Sequence, residues 1–284
     1  MPLFSIITPT FNRADLLPKM IESVKGQTFT DWELIIVDDG STENSPTIVD
    51  EYQSDARIRF IQKDNTGAAH SRNVGAESAT GDFLTFLDSD DEVKDSWLMS
   101  VSEKVEKDTG LISVGAIRKF PNGSIVLERP YSLKLFSKEF FVKFTAGSLF
   151  VRRKIFQAVK GYDTALHSNH HTDLGYRLMM YWKENPFKIS NLDECLIQIN
   201  VHEGARIRTN WQKVSSGTLA FTEKHYVFLK KHKRDFLSNS YSVVAHSFYK
   251  LKNKENALSF TIKAIKYRPF YFKNYARLVK YLLS

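Results

Sequence analysis

Leu34-Ile35-Ile36-Val37-Asp38-Asp39-Gly40-Ser41 is a short apolar run that stops on two carboxylates, a glycine and a serine. The same pattern recurs in Phe83-Leu84-Thr85-Phe86-Leu87-Asp88-Ser89-Asp90-Asp91. Apolar runs this brief, rich in β-branched and aromatic residues and closed by turn residues, read as buried strands. Two more flank them: residues 3–8 (Leu-Phe-Ser-Ile-Ile-Thr), ending at Pro9, and residues 57–62. Between the strands, residues 14–26 place Leu16, Leu17, Ile21 and Val24 on one helical face with Gly26 near the end, and residues 68–79 form a helix of small residues. Strands alternating with helices predict an α/β fold with a doubly wound, mainly parallel sheet.

Sheets of this kind bind ligands at the carboxyl ends of their strands. The polar clusters fall there: Thr8 to Arg13, Asp38 to Glu43, Lys63 to Gly67 and Asp88 to Asp91. One acidic turn is unremarkable, since Asp and Gly are ordinary turn residues. Four at consecutive strand ends point to a ligand site. Asp88 and Asp90 flank Ser89, so alternation along an extended chain turns both carboxylates to one side. Such hard oxygen donors suit Mg²⁺ or Mn²⁺. The plain alternative is a pair of turn aspartates, with Asp91 or Asp95 capping the next helix. Asp38 or Asp39 could accept hydrogen bonds from a base or ribose. His70, Arg72 and Asn73 lie near the start of the 68–79 helix, where an anion is favoured.

Beyond residue 110 the pattern is mixed. Leu111–Phe120 and Ser124–Glu128 read as a hairpin around Pro121-Asn122-Gly123. Gly147–Arg152 reads as a strand followed by a helix to Val159 and a turn at Gly161. Residues 172–184 are helical in pattern, and Phe187–His202 gives one or two strands leading into a polar loop at 203–208. From Trp211 everything is helical, with stops expected near Ser238–Ser240, Asn253 and Pro269. Ala245, Phe248, Tyr249, Ala257, Phe260, Ala264 and Pro269 resemble one tetratricopeptide unit, and one copy needs packing support from elsewhere.

Composition narrows the function. At 284 residues, with 13% aromatics and only 8 prolines, the chain can bury a core. A single cysteine, Cys195, leaves no disulfide framework and no cysteine-based metal cluster. No apolar stretch reaches a membrane span's length, and Met-Pro-Leu-Phe-Ser lacks a signal peptide's basic start, so the expected location is cytoplasmic or at the inner face of a membrane. Residues 211–284 hold 15 Lys/Arg against 3 Asp/Glu and 15 of the 37 aromatics, whereas 1–210 hold 25 Lys/Arg against 29 Asp/Glu. The basic, aromatic segment suits either a helical appendage with a lysine-covered face or contact with an anionic membrane surface. The acidic first part argues against nucleic acid as partner. Oligomeric state is not legible.

The motifs Pro9-Thr10-Phe11-Asn12-Arg13, Val37-Asp38-Asp39-Gly40-Ser41-Thr42, Asn65-Thr66-Gly67 with Arg72-Asn73-Val74-Gly75, and Leu87-Asp88-Ser89-Asp90-Asp91 resemble, in order and spacing, those of the family 2 glycosyltransferases. Gly147 to Asp163 is similar to that family's central segment, and the resemblance covers about residues 1–210. It implies a GT-A domain over 1–210 with a helical appendage over 211–284, and transfer of a sugar from a nucleoside diphosphate donor to a glycan or lipid-linked acceptor. By position, Pro9 and Phe11 would flank the base and Asp39 would hold the base or ribose. Thr8, Arg13, Asn65 and Arg72 belong to the same implied donor set. Asp88 would approach the donor, and Asp90 would lead the metal ligands with Asp88 assisting. His202 would close over the diphosphate on a loop and could ligate the metal, with Arg206 and Arg208 adding charge there.

The chain departs from the family at the catalytic base. The usual pattern is Glu-Asp, any residue, Asp or Glu, then a helix ending in Arg-Leu; here it reads His170-His171-Thr172-Asp173 before Arg177-Leu178. Three readings follow: His171 as general base, since an imidazole titrates near neutral pH; Asp173 after a small backbone shift; or an inactive protein that only binds nucleotide-sugar or glycan. His167, His170 and His171 as a metal cluster is a lesser alternative. Tyr176, Tyr181 and Trp182 either stack on an acceptor sugar or fill the core. The resulting expectation is an inverting, metal-assisted transferase using a UDP-sugar, or else a GDP- or dTDP-sugar. A nucleotidyltransferase is less suited, because Thr8 to Asp15 has no glycine.

Overall fold

The computed structural model describes residues 1–43, 45–52, 54–201 and 210–283. The first half alternates as expected: β1 (Phe4–Thr10), α1 (Leu17–Lys25), β2 (Trp32–Asp38), α2 (Ser45–Asp50), β3 (Ile58–Gln62), α3 (Ala68–Ser78) and β4 (Phe83–Phe86). β1, β2 and β4 are buried along their whole length, because helices cover both faces of a parallel sheet. β3, at the sheet's edge, is buried only at Ile58. α1 buries Leu17, Met20, Ile21 and Val24, while Leu16 sits outside it at the cap.

β5 (Glu92–Val93), α4 (Trp97–Ser102), β6 (Thr109–Lys119), β7 (Ile125–Glu128), β10 (Leu149–Arg152), α5 (Arg153–Ala158), α6 (His170–Glu184) and β11 (Lys188–Asn200) complete the sheet region. The strand order is β3-β2-β1-β4-β10-β6-β11-β5, with β7 paired to β6. β1 pairs in parallel with β2 and β4, whereas β10 is antiparallel to β4 and β6. The 111–128 hairpin is present as β6 and β7. A second hairpin, β8 (Tyr131–Leu135) with β9 (Lys138–Val142), carries alternating burial that went unread in the sequence. The core joins Phe4, Ile6, Trp32, Leu34, Phe83, Trp97, Ile112 and Phe150 across the sheet.

β1 does not stop at Pro9 but continues to Thr10. Ile7 turns its carbonyl toward the β4 side, where Leu87 N–H donates to it at 3.0 Å, and Pro9 faces the same way two residues on. The β4 pairing has ended by then, with Ile7 opposite Phe86. The proline's missing N–H therefore falls beyond the ladder and breaks nothing. Gly75 explains the small-residue character of α3: a Cβ there would lie 2.4 Å from the Ile7 side chain, so only glycine lets the helix sit this close to β1.

By its contacts the chain divides into two compact units, Met1–Thr164 with His171–Glu203, and Ala165–His170 with Gly204–Ser284. The second unit contains α7 (Trp211–Lys224), α8 (Tyr226–His232), α9 (Arg234–Lys250), α10 (Lys254–Tyr267) and α11 (Phe272–Leu283). Its breaks near Asn253 and Pro269 were anticipated; the one at Ser238–Ser240 is wrong, since α9 runs straight through it. Free serine hydroxyls compete with the helix backbone. Here Ser238 Oγ instead donates to Ala264 O of α10 at 2.7 Å, and Ser242 Oγ donates to Asn274 of α11 at 3.2 Å. Ala245, Ala257 and Tyr281, with Phe248, Tyr249, Leu258 and Phe260, form this unit's own core cluster. Among the described residues no helix is long and apolar enough to cross a membrane.

Candidate functional site

The chain turns back on itself at the carboxyl ends of β1 and β4: β2 and β3 extend the sheet on one side of β1, and β4 adds on the other. At such a reversal the loops part and leave a crevice. The loop after β4 brings Asp88, Asp90 and Asp91 together, with one carboxylate oxygen from each within 4.8 Å of the others. Arg13, on the loop after β1, reaches across the crevice to Asp90 at 2.8 Å. Arg72 rises from α3 to Asp88 at 2.7 Å.

The electrostatics follow from these pairings. Burial pushes the Asp88 carboxyl up, but Arg72, His171 and Arg13 around it hold it below the ordinary carboxylate range. Burial opposes the Arg72 charge, and the facing Asp88, Tyr162 and Asp90 more than offset that and keep the guanidinium protonated. Arg72 also lies over the Tyr162 ring, 5.5 Å from its centroid.

Tyr162 links this cluster to α6. Its hydroxyl is 3.0 Å from His171 Nδ1, and the two rings meet edge to face at 5.4 Å. Burial drives the Tyr162 hydroxyl far above its usual pKa, so it stays protonated. The Asn73 side chain holds the backbone of Tyr162 from both sides, accepting from its N–H at 2.8 Å and donating to its carbonyl at 2.9 Å. Gly161 just before has φ +60°, and a Cβ there would lie 2.6 Å from Asn73 Oδ1, which accounts for the Gly-Tyr-Asp motif.

The loop after β2 is tied to the loop after β1. Asn12, at φ +50°, takes an N–H bond from Thr42 at 2.9 Å on its side chain and gives its own N–H to Ser41 Oγ at 2.9 Å. Asp38 is buried and bonds Ser41. Asp39 is buried too: it pairs with Lys63 and accepts N–H bonds from Thr66 at 3.0 Å and Gly67 at 2.8 Å. The anion at the start of α3 is thus the protein's own Asp39 carboxylate. Burial works against its charge, and these donors outweigh burial and lower its pKa.

Of the residues singled out from the sequence, Arg13, Arg72, Asp88, Asp90 and His171 gather in the crevice. Pro9 is buried near the end of β1, Phe11 is 44% exposed on the following loop, and Asn65 is exposed on the loop held by Asp39. Thr8 does not join them: it is fully buried and its hydroxyl faces Met20 Sδ of α1. Asp173 is 0% exposed and paired with Arg177 at 2.8 Å, while Arg177 also bonds Val159 O at 2.5 Å. Tyr176 and Trp182 are core residues, Trp182 giving its N–H to Phe187 O. His167, His170 and His171 form no metal cluster; among the described residues only the acidic trio has that geometry. Neither Asp91 nor Asp95 caps α4, whose N-cap Ser96 makes no side-chain bond. His202, Arg206 and Arg208 lie outside the described residues.

Tyr162 and Asn200 were not read from the sequence as site residues. Asn200, at the end of β11, donates its side chain to Asp90 O at 3.0 Å and to Glu92 at 2.9 Å, and its N–H to Asp91 at 3.2 Å. Only the pairing of β11 with β5 brings it there. Tyr162 sat inside a quoted motif, but nothing in the spacing joined it to His171.

The chain matches the family model described as glycosyl transferase family 2 over residues 5–180. It belongs to that family. Over 165 residues it is 33% identical to the Campylobacter jejuni protein named GalNAc(5)-diNAcBac-PP-undecaprenol beta-1,3-glucosyltransferase, covering 52% of this chain and 53% of that protein. The chain therefore spans about half the length of that relative. An uncharacterized glycosyltransferase of Haemophilus influenzae is 26% identical over 99% of this chain and 94% of its own length. In fold the chain is similar to residues 1–349 of S. aureus TarS, solved in complex with UDP-GlcNAc, with a TM-score of 0.66 at 17% identity over 96% of this chain and 93% of the other. It is also similar to the mannosyltransferase PcManGT from Pyrobaculum calidifontis, in complex with GDP-Man and Mn²⁺, with a TM-score of 0.58 at 14% identity over 99% and 85%. The fold is GT-A, with a helical region following it.

Proposed function

We propose that this family 2 chain is an inverting glycosyltransferase. It moves a sugar from a nucleoside diphosphate donor, a UDP-sugar foremost, to a hydroxyl of a glycan or lipid-linked acceptor in surface-polysaccharide synthesis. The observation that carries this reading is the meeting of Asp88, Asp90 and Asp91 with Arg13, Arg72 and His171 at the β1/β4 crevice. The TarS complex with UDP-GlcNAc and the undecaprenol-linked substrate in the Campylobacter protein's name support the donor and acceptor classes.

The acidic trio fits a hard divalent cation, since it offers three carboxylate oxygens within reach of one another at a strand end. Asp90 would lead in holding Mn²⁺ or Mg²⁺, with Asp88 and Asp91 beside it; such an ion offsets the charge of a diphosphate leaving group. Arg72 holds Asp88 in its ionised form, and Arg13 orients Asp90, before any ligand arrives. His171 acts as the general base. In the tautomer with its proton on Nδ1, facing the Tyr162 oxygen at 3.0 Å, Nε2 would be the atom that takes the acceptor hydroxyl's proton. The acceptor oxygen attacks the anomeric carbon as the bond to the diphosphate oxygen breaks, and that bond's electron pair leaves on the diphosphate. Burial of Tyr162 and its clamp by Asn73 fix the imidazole's direction. Phe11 and Pro9 border the base, with Asp39 beside them.

Thermal unfolding with UDP, GDP, dTDP and CMP, each with and without Mn²⁺, tests the donor site. A ligand at about 100 times its Kd adds about 2.7 kcal/mol, enough to raise the midpoint by several degrees. The expected result is a UDP shift that needs Mn²⁺ and is lost in Asp90→Ala. No shift with any nucleotide, with or without Mn²⁺, would overturn the reading. A shift without metal-dependent hydrolysis of the donor sugar would leave a binding protein instead.

A further inference from the structure

α11 is amphipathic in the wrong sense for a packed helix. An ordinary surface helix turns its apolar stripe inward. Here the residues buried against the rest of the unit are Asn274 and Tyr281, Asn274 bonding Ser238 and Ser242, and Tyr281 stacking on Tyr249 at 4.5 Å. The outward residues are Phe272, Tyr275, Ala276, Val279, Leu282 and Leu283. At 100° per residue they form one continuous arc of about 120°. Phe272 is 80% exposed, Leu283 85%, and Phe270, in the turn before the helix, 88%. Exposed apolar side chains are ordinary when scattered; a contiguous stripe of them marks a contact surface.

The charge around the stripe indicates what it contacts. Lys273 and Lys280 border the apolar arc, and residues 251–284 contain eight Lys/Arg against one carboxylate, Glu255. α11 itself has no acidic residue. Apolar and aromatic side chains edged by cations describe a helix that lies in the headgroup region of an anionic bilayer, with its apolar face sunk toward the acyl chains. A protein partner would have to supply an apolar groove rimmed by acidic residues, and a second copy of this basic surface would bring lysine against lysine.

We propose that the apolar face of α11, with Phe270 and the bordering lysines, is a docking surface for an anionic lipid bilayer. The proposal concerns the second unit alone and does not depend on the sugar-transfer reading, because its test needs no donor or acceptor.

The test is co-sedimentation of the full chain with vesicles of phosphatidylcholine alone or mixed with phosphatidylglycerol. Binding to the mixed vesicles is expected, weakening as salt rises. Val279→Glu with Leu283→Glu should cut it by more than about tenfold, since two side chains that would sink toward the acyl chains become charges. Lys273→Ala and Lys280→Ala should each cost roughly fivefold on the anionic vesicles. Val279, Leu283 and Lys273 lie on the outer face, so the melting temperatures of their variants should hold; Lys280 also lies over the Tyr249 ring at 5.2 Å, so its melting curve is checked separately, and a variant that lowers the midpoint is replaced by Phe272→Ser. No binding to anionic vesicles, or equal binding to neutral ones, overturns the proposal. So does sedimentation equilibrium showing a dimer that Val279→Glu dissolves, which would make the occupant a second copy.

Discussion

His171 and Asp173 lie two residues apart on α6, and their surroundings separate them. Asp173 is fully buried and its charge is met by Arg177 four residues on, which in turn bonds the Val159 carbonyl. His171 faces Tyr162 and the Asp88 carboxylate instead. Asp173→Asn should therefore lower stability by about 3 kcal/mol, because it breaks an ion pair whose carboxylate is fully buried and leaves the partly buried Arg177 without its counter-charge. His171→Gln should leave the melting temperature and donor affinity nearly intact while lowering kcat by about 10²-fold or more. Paired melting curves and turnover assays check this. A His171→Gln enzyme with normal kcat would remove the histidine from the base's role.

At the scale of elements, the hairpin of β6 and β7 shows how a charge network staples the second half of the sheet. Glu128 at the end of β7 accepts from Arg118 of β6 and pairs with Lys143 just past β9. Burial raises its carboxyl's pKa, but Arg118 and Lys143 overcome this and bring it from 4.5 to about 2. A carboxyl whose folded pKa is depressed stabilises the fold above its unfolded pKa. That stability disappears as pH falls through the folded value. Glu128's contribution should be complete above about pH 4.5 and gone near about pH 2. In acid titrations, Glu128→Gln should be less stable than the parent at pH 6 and converge with it toward pH 2. Parallel curves across that range would show that Glu128 with Arg118 and Lys143 contributes no pH-linked stability. The alternation of burial along β8 and β9 was visible in principle as Tyr131-Ser132-Leu133-Lys134-Leu135, but an isolated two-stranded ribbon gives too few residues to tell from a loop.

On the scale of the whole chain, two compact units each have a core: Phe4, Trp32, Trp97 and Phe150 in one, Ala245, Ala257 and Tyr281 in the other. Units with separate cores need not melt together. Calorimetry of the full chain should resolve two transitions, with UDP and Mn²⁺ raising only the one that belongs to the sheet unit, since ligand linkage acts on the state that binds. A single transition shifted as a whole would mean that the two units fold as one cooperative body.

The α/β alternation, the four polar clusters at strand ends and the family were legible in residue order, because a parallel sheet writes its buried strands as apolar runs and its ligand loops as the punctuation between them. The pairing of Asp88 with Asp90 followed too, since they flank Ser89, whereas Asp91 read as a helix cap and joins them only in the structure. Contacts between residues far apart in the chain were not legible. Arg13 meeting Asp90, Tyr162 meeting His171 through the Asn73 clamp, and Asn200 meeting Asp90 all depend on strand order. So does the fate of similar residue types: Thr8 and Asp173 look like site residues in the sequence, yet strand alternation and helix phase turn them into the core. The same phase turns the apolar stripe of α11 outward. Periodicity reveals that a helix has an apolar face; only packing against its neighbours determines which way that face points.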